Sequence, residues 1–301
     1  MSEFIRFSAL GVFVSALFLT GCNHLLYPGS RHAFVDPAAI KPTPIDLTVY
    51  HDSPESGRYV HAWYFKSRTQ PAKAIALHFH GNGQNLTTHF MFFKWLTDYG
   101  YDYIIFDYRG YGVSSDASAD QKKTVEDGLA AIRYVKKNFS HLPLITIGQS
   151  LGSNVLMRSL QELNKLNESS SFPELVVLDS SFMSYRKAAS SVLGKKWFSY
   201  PLKPLAYLAI DDDWSAYVAK EYTPQLNALF FHGTQDRIID LSHGEEAFKN
   251  WPGKKFFIPQ AEGDHTSAFG DERFKKSKEI LIKCIEQSLK DKNQFELCKP
   301  D

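Results

Sequence analysis

The stretch Leu144-Ile145-Thr146-Ile147-Gly148-Gln149-Ser150-Leu151-Gly152-Ser153-Asn154-Val155-Leu156 decides the fold. Its first four residues form an apolar run with the pattern of a buried strand, and from Ser153 to Leu160 the apolar spacing is that of a helix. A serine between the two stands on a sharp strand-to-helix turn, its hydroxyl exposed and its backbone strained. Gly148 and Gly152 lack side chains, so strand and helix can approach closely enough to make that turn. The helix start also points unpaired N–H groups and positive potential toward any oxyanion formed there. A G-x-S-x-G string alone is common, and it is the strand before and the helix after that make Ser150 a candidate nucleophile.

Further motifs follow other strands. Upstream, the apolar run Ala74–Phe79 ends in His80-Gly81-Asn82-Gly83, a glycine turn that can aim a backbone amide at a substrate carbonyl. The N–H groups of Asn82 and Leu151 are the candidate oxyanion pair, and losing one such donor typically costs roughly 10²–10³ in turnover. His80 is read as a support for that turn. Downstream, Ala228–Phe231 leads to His232-Gly233-Thr234-Gln235-Asp236, and Lys255–Ile258 leads to Glu262-Gly263-Asp264-His265. A serine hydroxyl is a poor nucleophile until a base within hydrogen-bond reach takes its proton. Neutral imidazole suits that role, and a carboxylate fixes its tautomer and stabilises the imidazolium. Ser150, Asp236 and His265 are therefore the candidate catalytic set.

With these residues the chain resembles the α/β-hydrolase superfamily, whose triad runs Ser, Asp/Glu, His along the sequence. The likeness covers roughly residues 45 to 290. It includes Phe106-Asp107-Tyr108-Arg109-Gly110-Tyr111-Gly112, which looks like the segment after the fourth strand in the serine-aminopeptidase-like, abhydrolase-domain branch. The resemblance implies a mainly parallel sheet of the eight-stranded type with helices on both faces and a small helical cap. It implies a structural role for Arg109. Competitors exist for two positions. Asp240 and Asp179 are alternative acids, since some relatives place the acid after the earlier strand Leu175–Leu178. His243, in what reads as the start of a helix, is an alternative base but is expected at the surface.

The amino terminus speaks to location. Ala9 to Leu19 is an apolar stretch of eleven residues behind Arg6, of signal-peptide length and too short to span a bilayer. It ends in Leu19-Thr20-Gly21-Cys22, which resembles the bacterial lipobox, where the chain is cut before the cysteine and the thiol is acylated. Residues 1–21 are then a lipoprotein signal peptide and Cys22 the lipidation site. Residues 22–44, with Pro28, Pro37, Pro42 and Pro44, read as an extended tether, and 45–301 as the hydrolase domain. In a Gram-negative envelope, Asn23 after the cysteine would point to the outer membrane. In such an oxidising compartment the two remaining cysteines, Cys284 and Cys298, are expected to pair, the alternative being two unrelated thiols.

Residues 182–224 are too long for a simple crossover and rich in aromatics, among them Phe182, Tyr185, Trp197 and Trp214. The resemblance implies a cap there. Its rings either line an acyl pocket or pack the cap onto the sheet. Asp211-Asp212-Asp213 could hold a substrate amine but reads better as a solvated helix start. The charge is balanced, with 34 Lys and Arg against 33 Asp and Glu, which excludes the basic footprint of a nucleic-acid binder. No metal or cofactor is expected. The sequence thus leads to a lipid-anchored serine hydrolase acting on a carboxylic ester or related acyl bond of a small substrate. Peptidase or thioesterase chemistry, or a non-catalytic envelope lipoprotein that binds through the scaffold, are the alternatives.

Overall fold

Strands β3 (Ala74–Phe79), β4 (Tyr101–Phe106), β5 (Leu144–Gln149), β6 (Leu175–Asp179) and β7 (Ala228–Gly233) are buried at every residue, as helices on both faces of a parallel sheet require. Before them β1 (Ile45–Tyr50) and β2 (Tyr59–Phe65) form an antiparallel pair, and β8 (Lys255–Gln260) follows. The eight strands lie in one sheet in the order β1-β2-β4-β3-β5-β6-β7-β8. β2 joins β4 antiparallel, and every pairing from β4 to β8 is parallel. The computed structural model describes residues 27–116, 118–194, 203–291, 295–297 and 299.

Strand alternation divides the core between two faces. Ile75, Leu77 and Phe79 pack with Ile132 and Val135 of helix α2 (Gln121–Asn138) and with Val155 and Leu156 of α3 (Leu151–Lys165). Ala74, Ala76 and Ile145 pack on the other face with Leu96 and with Leu281 and Ile285 of the last helix, Lys275–Lys290. Between β3 and β4 the chain forms α1 (Leu86–His89), capped by the Asn85 side chain, and two 3-10 turns. Phe93, at φ −131°, separates those turns. Arg109 pins the loop after β4 to α2, its Nε 2.6 Å from Asp127 Oδ1 and its backbone N–H donating to Asp127 Oδ2 at 2.8 Å. Cys284 in the last helix is fully buried and disulfide-bonded. Its partner lies outside the described residues, as do both Cys298 and Cys22.

Three expectations are corrected. Residues 27–44 do not form a free tether. Tyr27 is 4 % exposed against Tyr185, and Gly29 pairs with Gln84. Asn85 Nδ2 donates to the carbonyls of Ser30 and His32 (3.0 and 2.7 Å), and Arg31 donates to the Ser114 carbonyl at 2.7 Å. Irregular, proline-bearing backbone can dock wherever side chains of the body satisfy its polar groups. His243 is buried rather than superficial, since its Nε2 meets Ser191 Oγ at 2.9 Å under the cap. The acidic run is an N-terminal cap. Asp212, itself buried, accepts from the Tyr185 N–H (2.8 Å) and Ser184 Oγ (2.6 Å) at the start of α4 (Tyr185–Gly194). With α5 (Lys203–Ala209), α4 forms the described part of the cap.

The first turn of α3 crosses the end of β3 so closely that a Cβ on Gly152 would lie 2.0 Å from the Phe79 carbonyl oxygen. Because the obstruction is backbone, Gly152→Ala is expected to destabilise by about 1–3 kcal/mol or more, measured by urea denaturation.

Candidate active site

Ser150 sits between β5 and α3 at φ 50° and ψ −116°, a strained conformation for a residue with a Cβ. Its N–H donates to the Asp179 carbonyl at 2.9 Å, which holds the turn against β6. The glycines either side are needed for close approach, since a Cβ on Gly148 would fall 2.7 Å from Ser153 Cα. The strain, of order 1–3 kcal/mol, is offset by the packing of both elements.

His265 reaches this serine from the loop after β8. Its Nε2 lies 2.9 Å from Ser150 Oγ and its Nδ1 lies 2.8 Å from Asp236 Oδ2. A carboxylate can only accept, so Nδ1 carries the proton and the Nε2 lone pair is left for the serine hydroxyl. Asp236 follows β7, and its Oδ1 accepts from the N–H groups of Ile238 and Ile239, both at 2.8 Å. Burial works against its ionisation. The hydrogen bond and charge of His265, with those two amides, outweigh burial and hold the carboxyl below its ordinary range. The histidine loop is clamped twice. Asp264 Oδ1 accepts from the His265 and Arg237 N–H groups, at 2.8 and 3.0 Å, and the Thr266 N–H donates to Ser180 Oγ at 2.9 Å.

Both candidate oxyanion residues lie beside Ser150. Leu151 is the first residue of α3, so its N–H has no intrahelical acceptor. Asn82 lines the cavity in front of Ser150, its Oδ1 accepting from Tyr111 OH (3.0 Å) and the Gly83 N–H (2.9 Å). His80 is fully buried behind this turn with Nε2 3.2 Å from Asp107 Oδ1, a carboxylate oxygen that also accepts from the Leu86 N–H.

The cavity over Ser150 and His265 holds about 270 Å³. Its described walls include Pro28, His89, Phe92 and Ile238, and none of the cap aromatics. Among the described residues, the lining comes from loop and N-terminal side chains, as in the alternative where the cap rings pack onto the sheet. Those walls carry no motif that sequence could have flagged. His89 Nε2 meets the Gly83 carbonyl at 3.2 Å, and burial, then the charge of His80, push its pKa down to about 3, so this wall is uncharged at neutral pH.

A second polar chain runs beneath the nucleophile. Tyr103 OH donates to His78 Nδ1 (2.8 Å), His78 Nε2 to Gln149 Oε1 (3.1 Å), and Gln149 Nε2 to Asp179 Oδ2 (2.9 Å). Burial holds His78 well below its ordinary value, consistent with a neutral ring in this relay. Asp179, the alternative acid, belongs to this chain, and the carboxylate bonded to His265 is that of Asp236. Burial drives Asp179 up to about 7, opposed by the Gln149 hydrogen bond and the charge of His265 and reinforced by the charge of Asp236.

A mainly parallel eight-stranded sheet with a serine on its central strand-to-helix turn defines an α/β-hydrolase. The chain belongs to the α/β-hydrolase superfamily. The sequence model described as serine aminopeptidase, S33, matches residues 70–216. The uncharacterized protein YfhR of Salmonella typhimurium is 28% identical over 281 residues, covering 89% of this chain and 92% of that protein. The lysophosphatidylserine lipase ABHD12 of Danio rerio is 30% identical over 155 residues, 49% of this chain and 39% of that protein. Among solved structures, the Pyrococcus furiosus esterase Pf2001 superposes with a TM-score of 0.63 at 16% identity, covering 87% of this chain and 95% of that one.

Asp179 gives this site a testable pH signature. Its folded pKa, about 7, lies above the roughly 3.9 of an unfolded aspartate, so its contribution to stability is present at low pH and lost as pH rises through 7. Asp179→Asn is expected to gain thermal stability over the wild type progressively from pH 4 to 7, with the advantage level above that, as followed by melting temperature.

Proposed function

We propose that the chain is a serine carboxylesterase held in the bacterial envelope by lipid on Cys22. Ser150 attacks the substrate carbonyl, and His265 takes the hydroxyl proton and returns it to the leaving alcohol. Asp236 orients His265 and stabilises the imidazolium. The N–H groups of Asn82 and Leu151 receive the developing oxyanion, and water then hydrolyses the acyl-enzyme by the same base. The observation that carries this reading is the unbroken hydrogen-bonded chain from Ser150 Oγ through His265 to Asp236, opening onto a cavity beside the start of α3. The likeness to an esterase and to a lysophosphatidylserine lipase supports an acyl substrate.

An ester fits better than a peptide with a free amine. No described lining residue of the cavity is a carboxylate, and Asp212 is already engaged in capping α4. The lipobox-like Leu19-Thr20-Gly21-Cys22 supports anchoring in the envelope, and Asn23 favours the outer membrane if the cell is Gram-negative.

Ser150→Ala is expected to lower turnover of p-nitrophenyl butyrate by roughly 10⁴-fold or more with an unchanged circular dichroism spectrum. Most of the activity surviving would refute the assignment. Asp236→Asn removes the fixed acceptor of His265 Nδ1 and is expected to lower turnover by roughly 10⁴-fold. A loss under ten-fold would show that another group orients the histidine.

A further inference from the structure

We propose that the rim of the Ser150 cavity is a membrane-docking surface, and that the ester hydrolysed belongs to an amphiphile whose tail stays in the bilayer. This inference rests on the preceding reading of Cys22 and Ser150 and adds the orientation of the site and the physical class of its substrate. The N-terminal segment supplies the geometry. Tyr27 is held between the cap and the body, 6.3 Å from the Tyr185 ring, and Pro28 forms part of the cavity wall. Cys22 precedes Tyr27 by five residues, and five extended residues reach at most roughly 17 Å. A body of this size is roughly 45 Å across. A lipid on Cys22 therefore cannot reach the far side, and the membrane lies on the face that carries the cavity mouth.

That face is apolar where it would meet lipid. Ile238, 50 % exposed, lines the cavity itself. Met91, 62 % exposed, precedes the wall residue Phe92, and Phe34, 44 % exposed, is fixed by its N–H to Thr87 Oγ1 beside the α1 helix that carries His89. Phe34 packs edge-on against His32, which fixes the ring while leaving it open to solvent. The cavity size points the same way. At about 270 Å³ it falls just below the usual range of ligand pockets, roughly 300–1,000 Å³, so it takes an ester group and its near carbons. A long acyl chain must extend past the mouth, and a bilayer there would keep it out of water.

The test uses the acylated full-length product reconstituted in phosphatidylethanolamine–phosphatidylglycerol vesicles, with an environment-sensitive fluorophore at Met91→Cys or, as control, at His141→Cys. His141 is exposed just before β5, at the opposite end of the strands from the site. Shielding of the Met91 probe on vesicle binding, with the His141 probe unchanged, is the expected result. Failure to float with vesicles, an exposed Met91 probe, or shielding at His141 instead would overturn the proposal. In the same preparation, Phe34→Glu with Met91→Glu is expected to lower hydrolysis of a vesicle-borne lysophospholipid roughly ten-fold or more, since carboxylates resist the apolar layer. Hydrolysis of water-soluble p-nitrophenyl acetate should stay within about two-fold, as the paired carboxylates act only at the lipid contact. Equal loss on both substrates, or loss on neither, would contradict it. A shielded Met91 probe without ester hydrolysis by the wild type would sustain the docking surface and fail only the hydrolase reading.

Discussion

The crossing of the first turn of α3 over the end of β3 constrains everything else in the site. Backbone meets backbone at Gly152, where a side chain would strike the Phe79 carbonyl, and the connection from β5 has no room to be relaxed. Ser150 is forced to φ 50° as a result. That conformation lifts its hydroxyl above the carboxyl ends of the strands, where loops from β3, β7 and β8 converge. The same crossing sets the Leu151 N–H beside the hydroxyl and brings the 80–83 turn in front of it. The helix start, the serine and the turn are thus one mechanical unit, and the strain of the serine is sustained by the sheet beneath.

Two carboxylates near one histidine are driven in opposite directions. Asp236 receives two amide donors and the His265 ring, and stays ionised. Asp179, at the end of the neighbouring strand, has one donor from Gln149, and burial raises it to about 7. The difference decides which of them serves His265, because only a carboxylate that remains charged can hold the imidazolium. Tyr103, His78 and Gln149 meanwhile satisfy one another in a buried chain whose directions are fixed by its ends: a hydroxyl that donates and a carboxyl that accepts. Paired networks of this kind hold a turn in place, and the one buried oxygen left over in this network is Asp179 Oδ1, on the carboxyl that burial raises.

Much of this was legible in the chain because strands announce themselves as apolar runs and the chemistry follows immediately after them. His80 to Gly83, Ser150 and Leu151, Asp236 and His265 all stand just beyond a strand, and the parallel register carries them to one end of the sheet. Less legible were features that depend on contacts between distant segments. Prolines in residues 27–44 indicate irregular backbone, but only Asn85, Gln84 and Tyr185 reveal that this backbone is docked. Phe92, Ile238 and His89 become walls through loop geometry, with no periodicity to mark them. His243 follows Asp240 on an amphipathic helix and reads as solvated until the cap closes over it. The acidic run Asp211–Asp213 has the composition of a ligand site and the geometry of a helix cap.

Whether Ser150 is an activated nucleophile is tested most directly by treating the folded protein with a fluorophosphonate and locating the adduct by peptide mass spectrometry, alongside Ser150→Ala. A single phosphonylated residue at Ser150, absent from the variant, is the outcome expected of a serine paired to His265 at 2.9 Å. A folded wild type that takes up no phosphonate, or takes it up equally in the variant, would contradict it.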